Sequence, residues 1–522
     1  MSDAGKRERP DGAEATSGAS VLRGGAWNVA GTFVPQLSLL VISIAAARFL
    51  GPSQFGRQSF IAFVEVSAMT LFTAGIPLAL ARFVGELLGQ GRGGVARTVV
   101  RQTWMIEAAG AVIGGGLLVT IGLLGAEPRA AWLLAGAVVF TGVLQRVPTA
   151  LLTGLQHWRE PSLVAVRIAV VVAGATIAVL AAGGGITGMF AVEAAATVLS
   201  LVWLARIATR AERRLPDERP LPVDVRRGMV NYALLSSVGV VLTLVVWRRS
   251  EFLFLDHFSS DTQIALYSVA FAAVAALLLA PQAVVAAALP AVATLVGAGA
   301  LDRISAGFGR ALRLLLLVTL PLSALSIALG PLALRLVYGE AFRRAGPVVV
   351  VLLAPFPLIA LANLSSVVLA GLNRLKFPLV AGIVGAAVNI GLDLLLIPRY
   401  DAVGAAFANI GGQLAAGLPA LVYAARLLRP LNWAPSSLAR ACVAAAAGGI
   451  GARLVSDLLG GVPGLLCGLA AGLAVFAVTA AALPILIPED ARWLEGVTGS
   501  RAARVVRPVT RLWSRRVAEA VS

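Results

Sequence analysis

Arg248, Arg249 and Glu251 stand together inside an apolar run, residues 230–255, where charge is costly. Each charged side chain at the centre of a membrane helix costs about 2.5–3.5 kcal/mol on the insertion scale. Arginine repays a place there when it has an oxyanion to hold, because its planar fork gives two parallel hydrogen bonds to phosphate-type oxygens. Arg248 and Glu251 are three residues apart and can meet on one helix face, which leaves Arg249 the freer ligand. The other reading ends the helix near Trp247 and lets both arginines reach back to the outer interface. Glu65 sits alone between Phe63 and Val66 in a second run. A lone buried acid suits coupling to a proton or sodium ion, or a hydrogen bond that holds helices together. Asp393 lies in a third run, four residues after Asn389, with which it can share a hydrogen bond. Gln36, Gln282, Asn363, Asn409 and Gln413 are uncharged polar groups in apolar runs, suited to bridging helices or to lining a cavity. Arg82 and Glu86, four apart, read as an interfacial ion pair.

No catalytic or metal-binding constellation accompanies these residues. Cys442 and Cys467 fall in apolar runs, and His157 and His257 lie in different loops, so neither a disulfide framework nor a metal site follows. Two G-x-G-x-x-G matches, Gly89 to Gly94 and Gly183 to Gly188, follow no strand, and 55 glycines make chance matches ordinary. No G-x-x-x-x-G-K-[ST] loop is present.

The elements that carry these residues follow from composition. The 522 residues are 58% hydrophobic before glycine is counted and only 13% charged, about half the usual share for soluble domains. That excludes a soluble enzyme, a disordered chain and a nucleic-acid-binding domain. Long continuous runs of Ala, Leu, Val and Gly, without alternation, predict helices rather than barrel strands. The fold expected is an all-α polytopic membrane protein of about fourteen transmembrane helices. The polar N-terminus, residues 1–22, lacks the apolar core of a signal peptide.

Charge orients these helices. With the N-terminus in the cytoplasm, 33 of the 43 lysines and arginines fall on inner regions and eight on outer ones, Arg248 and Arg249 making up the remainder. This asymmetry predicts both termini in the cytoplasm and accounts for the net charge of +17 without nucleic acid. Pro35, Pro77, Pro281, Pro355, Pro357 and Pro419 are expected to bend their helices.

An internal repeat divides the chain. Leu152-Thr153-Gly154-Leu155-Gln156 corresponds to Leu369-Ala370-Gly371-Leu372-Asn373, and Gly188-Met189-Phe190 to Gly404-Ala405-Ala406-Phe407. Six spans per half make this a parallel repeat. The expected organisation is a first lobe over 23–207, a cytoplasmic linker over 208–229, a second lobe over 230–428, an extra helix pair over 438–487 and a basic cytoplasmic tail over 488–522. The tail, with Arg504, Arg511 and Arg515, is expected to lie on anionic lipid and to be dispensable.

Three stretches carry a family resemblance: Ala47-Arg48-Phe49-Leu50-Gly51-Pro52-Ser53-Gln54-Phe55-Gly56, Val337-Tyr338-Gly339-Glu340-Ala341-Phe342, and Asn389 to Tyr400 followed by Gly404-Ala405-Ala406. In this order, on a twelve-span repeat, they resemble the Wzx-like oligosaccharide-lipid flippases of the MOP superfamily. Asp393 departs from the pattern, and Asp401 stands where glycine is usual. The resemblance implies two six-helix lobes around a central cavity that opens alternately to either face, and a non-enzyme. The implied cargo is a saccharide on a polyprenyl pyrophosphate carrier, moved from the inner to the outer leaflet of a bacterial inner membrane. On that reading Arg248 and Arg249 hold the pyrophosphate, and Glu65, Glu251 and Asp393 serve coupling to H+ or Na+ without a resident cofactor. Membrane lipids, a polysaccharide polymerase and glycosyltransferases are the implied partners. The competing readings are a MATE-type exporter of small organic cations, a membrane-embedded saccharide polymerase or ligase, and a scaffold. An exporter's cavity should be acidic, which the two arginines oppose; the enzymes need a large outer loop, and none is long enough.

Overall fold

The computed structural model describes residues 18–247, 250–374, 376–497, 508–510 and 512–514. The described residues are helical, as the runs of strong helix formers require. The helices are α1 (Gly18–Thr73), α2 (Ile76–Gly89), α3 (Gly93–Leu123), α4 (Arg129–Gly154), α5 (Arg159–Ala181), α6 (Gly185–Glu212), α7 (Val223–Trp247) and α8 (Glu251–Phe258). They continue as α9 (Asp261–Gly297), α10 (Leu301–Tyr338), α11 (Gly346–Leu353), α12 (Phe356–Gly371), α13 (Lys376–Leu427), α14 (Pro435–Leu459), α15 (Gly461–Ala482) and α16 (Pro488–Val497). Among the described residues ten helices are long and apolar enough to cross a bilayer, and Glu340–Leu353 with Phe356–Gly371, bent by 47°, makes a further candidate.

The breaks fall where backbone chemistry puts them. Gly51, at φ 72°, interrupts α1 between the apolar runs expected over 24–47 and 58–81. Asp401, at φ 48°, interrupts α13 between those expected over 379–397 and 403–425. That dihedral explains why glycine is the usual residue there; here Asp401 is steadied by a hydrogen bond that its carboxylate accepts from the Ser259 hydroxyl. Pro77 and Pro357 open α2 and α12 rather than bending them, since a first-turn proline forfeits no helical hydrogen bond.

The repeat is visible in the backbone. Gln156 and Asn373, 217 residues apart, both adopt the left-handed conformation, at φ 59° and 58°. Each is followed by the same closing bond, His157 N–H to Leu152 O and Arg374 N–H to Leu369 O, both 2.8 Å. These are matched Schellman ends on α4 and α12.

Contacts divide the chain into two units, and the division differs from the expected one. The first holds residues up to Phe49 and Ile61–Val241; the second holds Leu50–Phe60 and Leu242–Ser522. The boundary expected in the linker, 208–229, lies instead within α7. The reason is that the linker is pinned to the first unit: Thr98 donates to Arg219 O at 2.7 Å, Arg219 N–H to Gly94 O at 3.1 Å, and Arg101 pairs with Glu218 at 2.6 Å. The start of α7 follows, with the Gly75 N–H donating to Ser237 Oγ at 3.0 Å and the Arg82 guanidinium 4.5 Å from the Tyr232 ring centre. The apolar run expected over 58–81 is interrupted at Ala74, and the Arg82–Glu86 pair forms on α2 at 4.0 Å. In the run expected over 230–255, α7 is described as far as Trp247, and the apolar residues 252–255 belong to α8, which follows the turn at Ser250.

The extra helix pair packs through small residues. A Cβ on Gly448 would stand 2.9 Å from Gly472 O, so only glycine lets α14 and α15 approach this closely. The tail is a correction. Asp490 of α16 is 1% exposed and accepts two hydrogen bonds from Arg313 of α10, from Nε and Nη2, both at 2.7 Å. Arg310 stands 3.4 Å from the same carboxylate and 5.3 Å over the Trp493 ring. Trp513 packs edge-on against Phe476, and its carbonyl accepts from the Leu486 N–H. Residues 488–497 are therefore docked protein rather than a helix lying on lipid. Arg504, Arg511 and Arg515 lie outside the described residues.

Candidate functional site

The second unit contains a buried polar cluster built from α8 and both limbs of α13. Glu251 is the first residue of α8 and is fully buried. Its Oε1 accepts from Asn409 Nδ2 at 2.8 Å and from Asn389 Nδ2 at 3.2 Å. Gln413 Nε2 donates to Asn409 Oδ1 at 2.6 Å, and Ser250 Oγ donates to Asn389 Oδ1 at 3.0 Å. Asp393, fully buried, is the charged neighbour of Glu251. Helical spacing explains the set. Asn389 and Asp393 are one turn apart on one limb of α13, Asn409 and Gln413 one turn apart on the other, so each limb presents two polar groups on one face.

The cluster is incompletely satisfied. Glu251 Oε2 and both oxygens of Asp393 are buried with no hydrogen-bond partner among the described residues. The expected bond from Asn389 to Asp393 is not made, because the Asn389 amide is committed to Glu251. Two carboxylates buried together in an apolar interior are costly without a counter-charge. No group of three or more His, Cys, Asp or Glu suited to a metal ion occurs among the described residues.

The other candidates lie elsewhere. Arg248, Arg249 and the Gln282 side chain are outside the described residues. Asn363, with Leu278, Pro281, Val285 and Ser366, lines a cavity of about 220 Å³ between α9 and α12. Gln36 is exposed on α1. Glu65 is in the first unit, 1% exposed, with Oε2 unpartnered and Glu193 of α6 as its charged neighbour. Sequence reasoning passed over Glu193 and also Glu107 of α3, which is fully buried, with Arg146 of α4 as its charged neighbour. All three stand inside apolar runs, so the rule that singled out Glu65 would have found them. Ser250 carries no such signal, being a residue type that apolar helices accept freely.

Residues 233–395 match the MatE family. No curated protein matches the chain in sequence. Among solved structures, the lipid II flippase MurJ in an inward closed conformation superposes with a TM-score of 0.68 at 14% identity, over 88% of this chain and 98% of that one. An inward-facing multidrug-resistance MATE transporter of the MOP superfamily does so at 0.65 and 13%, over 77% and 98%. A MOP-superfamily transporter from Pyrococcus furiosus gives 0.57 and 14%, over 79% and 96%. The chain has the fold of these transporters and flippases.

Proposed function

We propose that the chain is a cation-coupled, alternating-access flippase that carries a polyprenyl-pyrophosphate-linked saccharide to the outer leaflet of a bacterial inner membrane. The observation that carries the coupling half is the buried cluster of Glu251, Asn389, Asp393 and Asn409, with three carboxylate oxygens lacking partners. Two buried carboxylates without a counter-charge are a place where ion uptake can change helix packing. Two observations support the lipid-linked cargo. The arginine pair Arg248–Arg249 suits a pyrophosphate. The superposition on the lipid II flippase extends over 88% of the chain against 77% for the MATE transporter, although each covers 98% of its partner. The flippase thus has counterparts for more of this longer chain.

The MatE match over 233–395 favours a second reading, a MATE-type exporter of small organic molecules. Reconstitution separates the two. Vesicles holding the protein and a fluorescent polyprenyl-pyrophosphate oligosaccharide should show gradient-driven exposure of the lipid, and organic-cation dyes should not accumulate. Dye transport without lipid translocation would establish the exporter instead. Both termini should be cytoplasmic: reporters placed after Thr209 and after Ser522 should be active only as cytoplasmic fusions, and a periplasmic signal from either would overturn the topology.

A further inference from the structure

The stretch Ala47–Gly56 supplies a resemblance but, in the sequence, no chemistry. In the structure residues 50–60 pack with the second unit, while the chain before them, to Phe49, and after them, from Ile61, packs with the first. Gly51 turns the backbone at φ 72° so that this short piece can leave α1's course. Phe55, 2% exposed, stands edge-on to Phe342, ring centres 5.9 Å apart, and Phe342 rests on Tyr338. Gly56 lies so close to α9 that a Cβ would collide with Asp261 O. Arg57 reaches two acids, Asp256 at 3.2 Å and Asp261 at 3.4 Å. Two of the three family stretches, 47–56 and 337–342, are therefore opposite faces of one contact.

We propose that residues 54–57 form a releasable latch on the second unit, in which Arg57 is the fastener and Phe55 the plug, and that it opens and closes in each transport cycle. This rests on the transporter reading. The fastener is built for release. Its side chains are 33%, 32% and 26% exposed, and ion pairs in that much solvent are weak and readily remade. The buried Arg313–Asp490 pair has the opposite character. The seat is built for return to one register: the aromatic plug and the glycine contact admit a single fit. With Arg57 withdrawn, Asp256 and Asp261 face each other unneutralised, so the open latch is biased to close.

The test uses the full chain with Cys442 and Cys467 changed to Ser, in vesicles. Phe55→Cys and, separately, Phe342→Cys report opening through labelling by a water-soluble maleimide. Each is combined with Arg57→Cys and Asp256→Cys, which a short reducible bis-thiosulfonate reagent bridges before labelling. Bridging should slow labelling at least about tenfold and stop transport, and reductant should restore both. Labelling that is absent, or equal with and without the bridge, overturns the latch, as does transport at the unbridged rate by bridged protein. Bridge-sensitive labelling in a protein that moves neither lipid-linked saccharide nor dye leaves the latch standing and removes the transporter reading.

Discussion

Asp490→Ala is expected to destabilise the protein by about 3–5 kcal/mol, the usual cost of removing one partner from a buried ion pair. The cost arises from what remains. Arg313 is 6% exposed and keeps only the Asn432 carbonyl as a partner once the carboxylate is gone. Arg310 loses the same anion and keeps its contact with the Trp493 ring. Truncation at Asp490 should cost more, because it also strips Trp513 from Phe476. Replacing both partners by apolar residues, Arg313→Met with Asp490→Leu, should recover most of the loss, since no buried charge is then stranded. Thermal unfolding of the solubilised protein, arranged as a double-mutant cycle, checks this. An Asp490→Ala protein that melts with the parent would mean that solvent, not α10, satisfies the carboxylate.

Local features were legible and convergent ones were not. The apolar runs and the matched turns at Gln156 and Asn373 follow from patterns a few residues long, and both are present. The break at Asp401 was legible as a departure from glycine. Glu251, Asp393, Asn409 and Gln413 were each singled out as polar groups in apolar runs. Their meeting could not be read, since Glu251 is 138 and 158 residues from the amides it accepts from. The tail failed for the same reason. Seven arginines outweigh one Asp490 in a local reading, yet that aspartate finds Arg313 across 177 residues.

Glu251→Gln and Asp393→Asn should each cut coupled transport by roughly 5–150-fold, the range of an ordinary coupling free energy of about 1–3 kcal/mol. The amides keep size and polarity, so folding should change by no more than about 1 kcal/mol. Glu251→Ala is a poor substitute for them, because it strands the Asn389 and Asn409 amides and confuses lost coupling with lost packing. Thermal shifts then identify the ion. If sodium binds, raising NaCl at constant ionic strength should stabilise the parent, by about 2.7 kcal/mol at a hundred times the dissociation constant. Asp393→Asn should abolish that gain, because it removes the negative charge and replaces one of the three unpartnered oxygens with an amide nitrogen. If protons bind, stability should follow pH and ignore sodium, and the amide variants should flatten the pH response. Parental transport by both amide variants at matched membrane levels would reduce the cluster to helix-bridging glue. Coupling would then fall to the first unit, where the buried Glu65 and its half-buried neighbour Glu193 are the next pair of acids to replace.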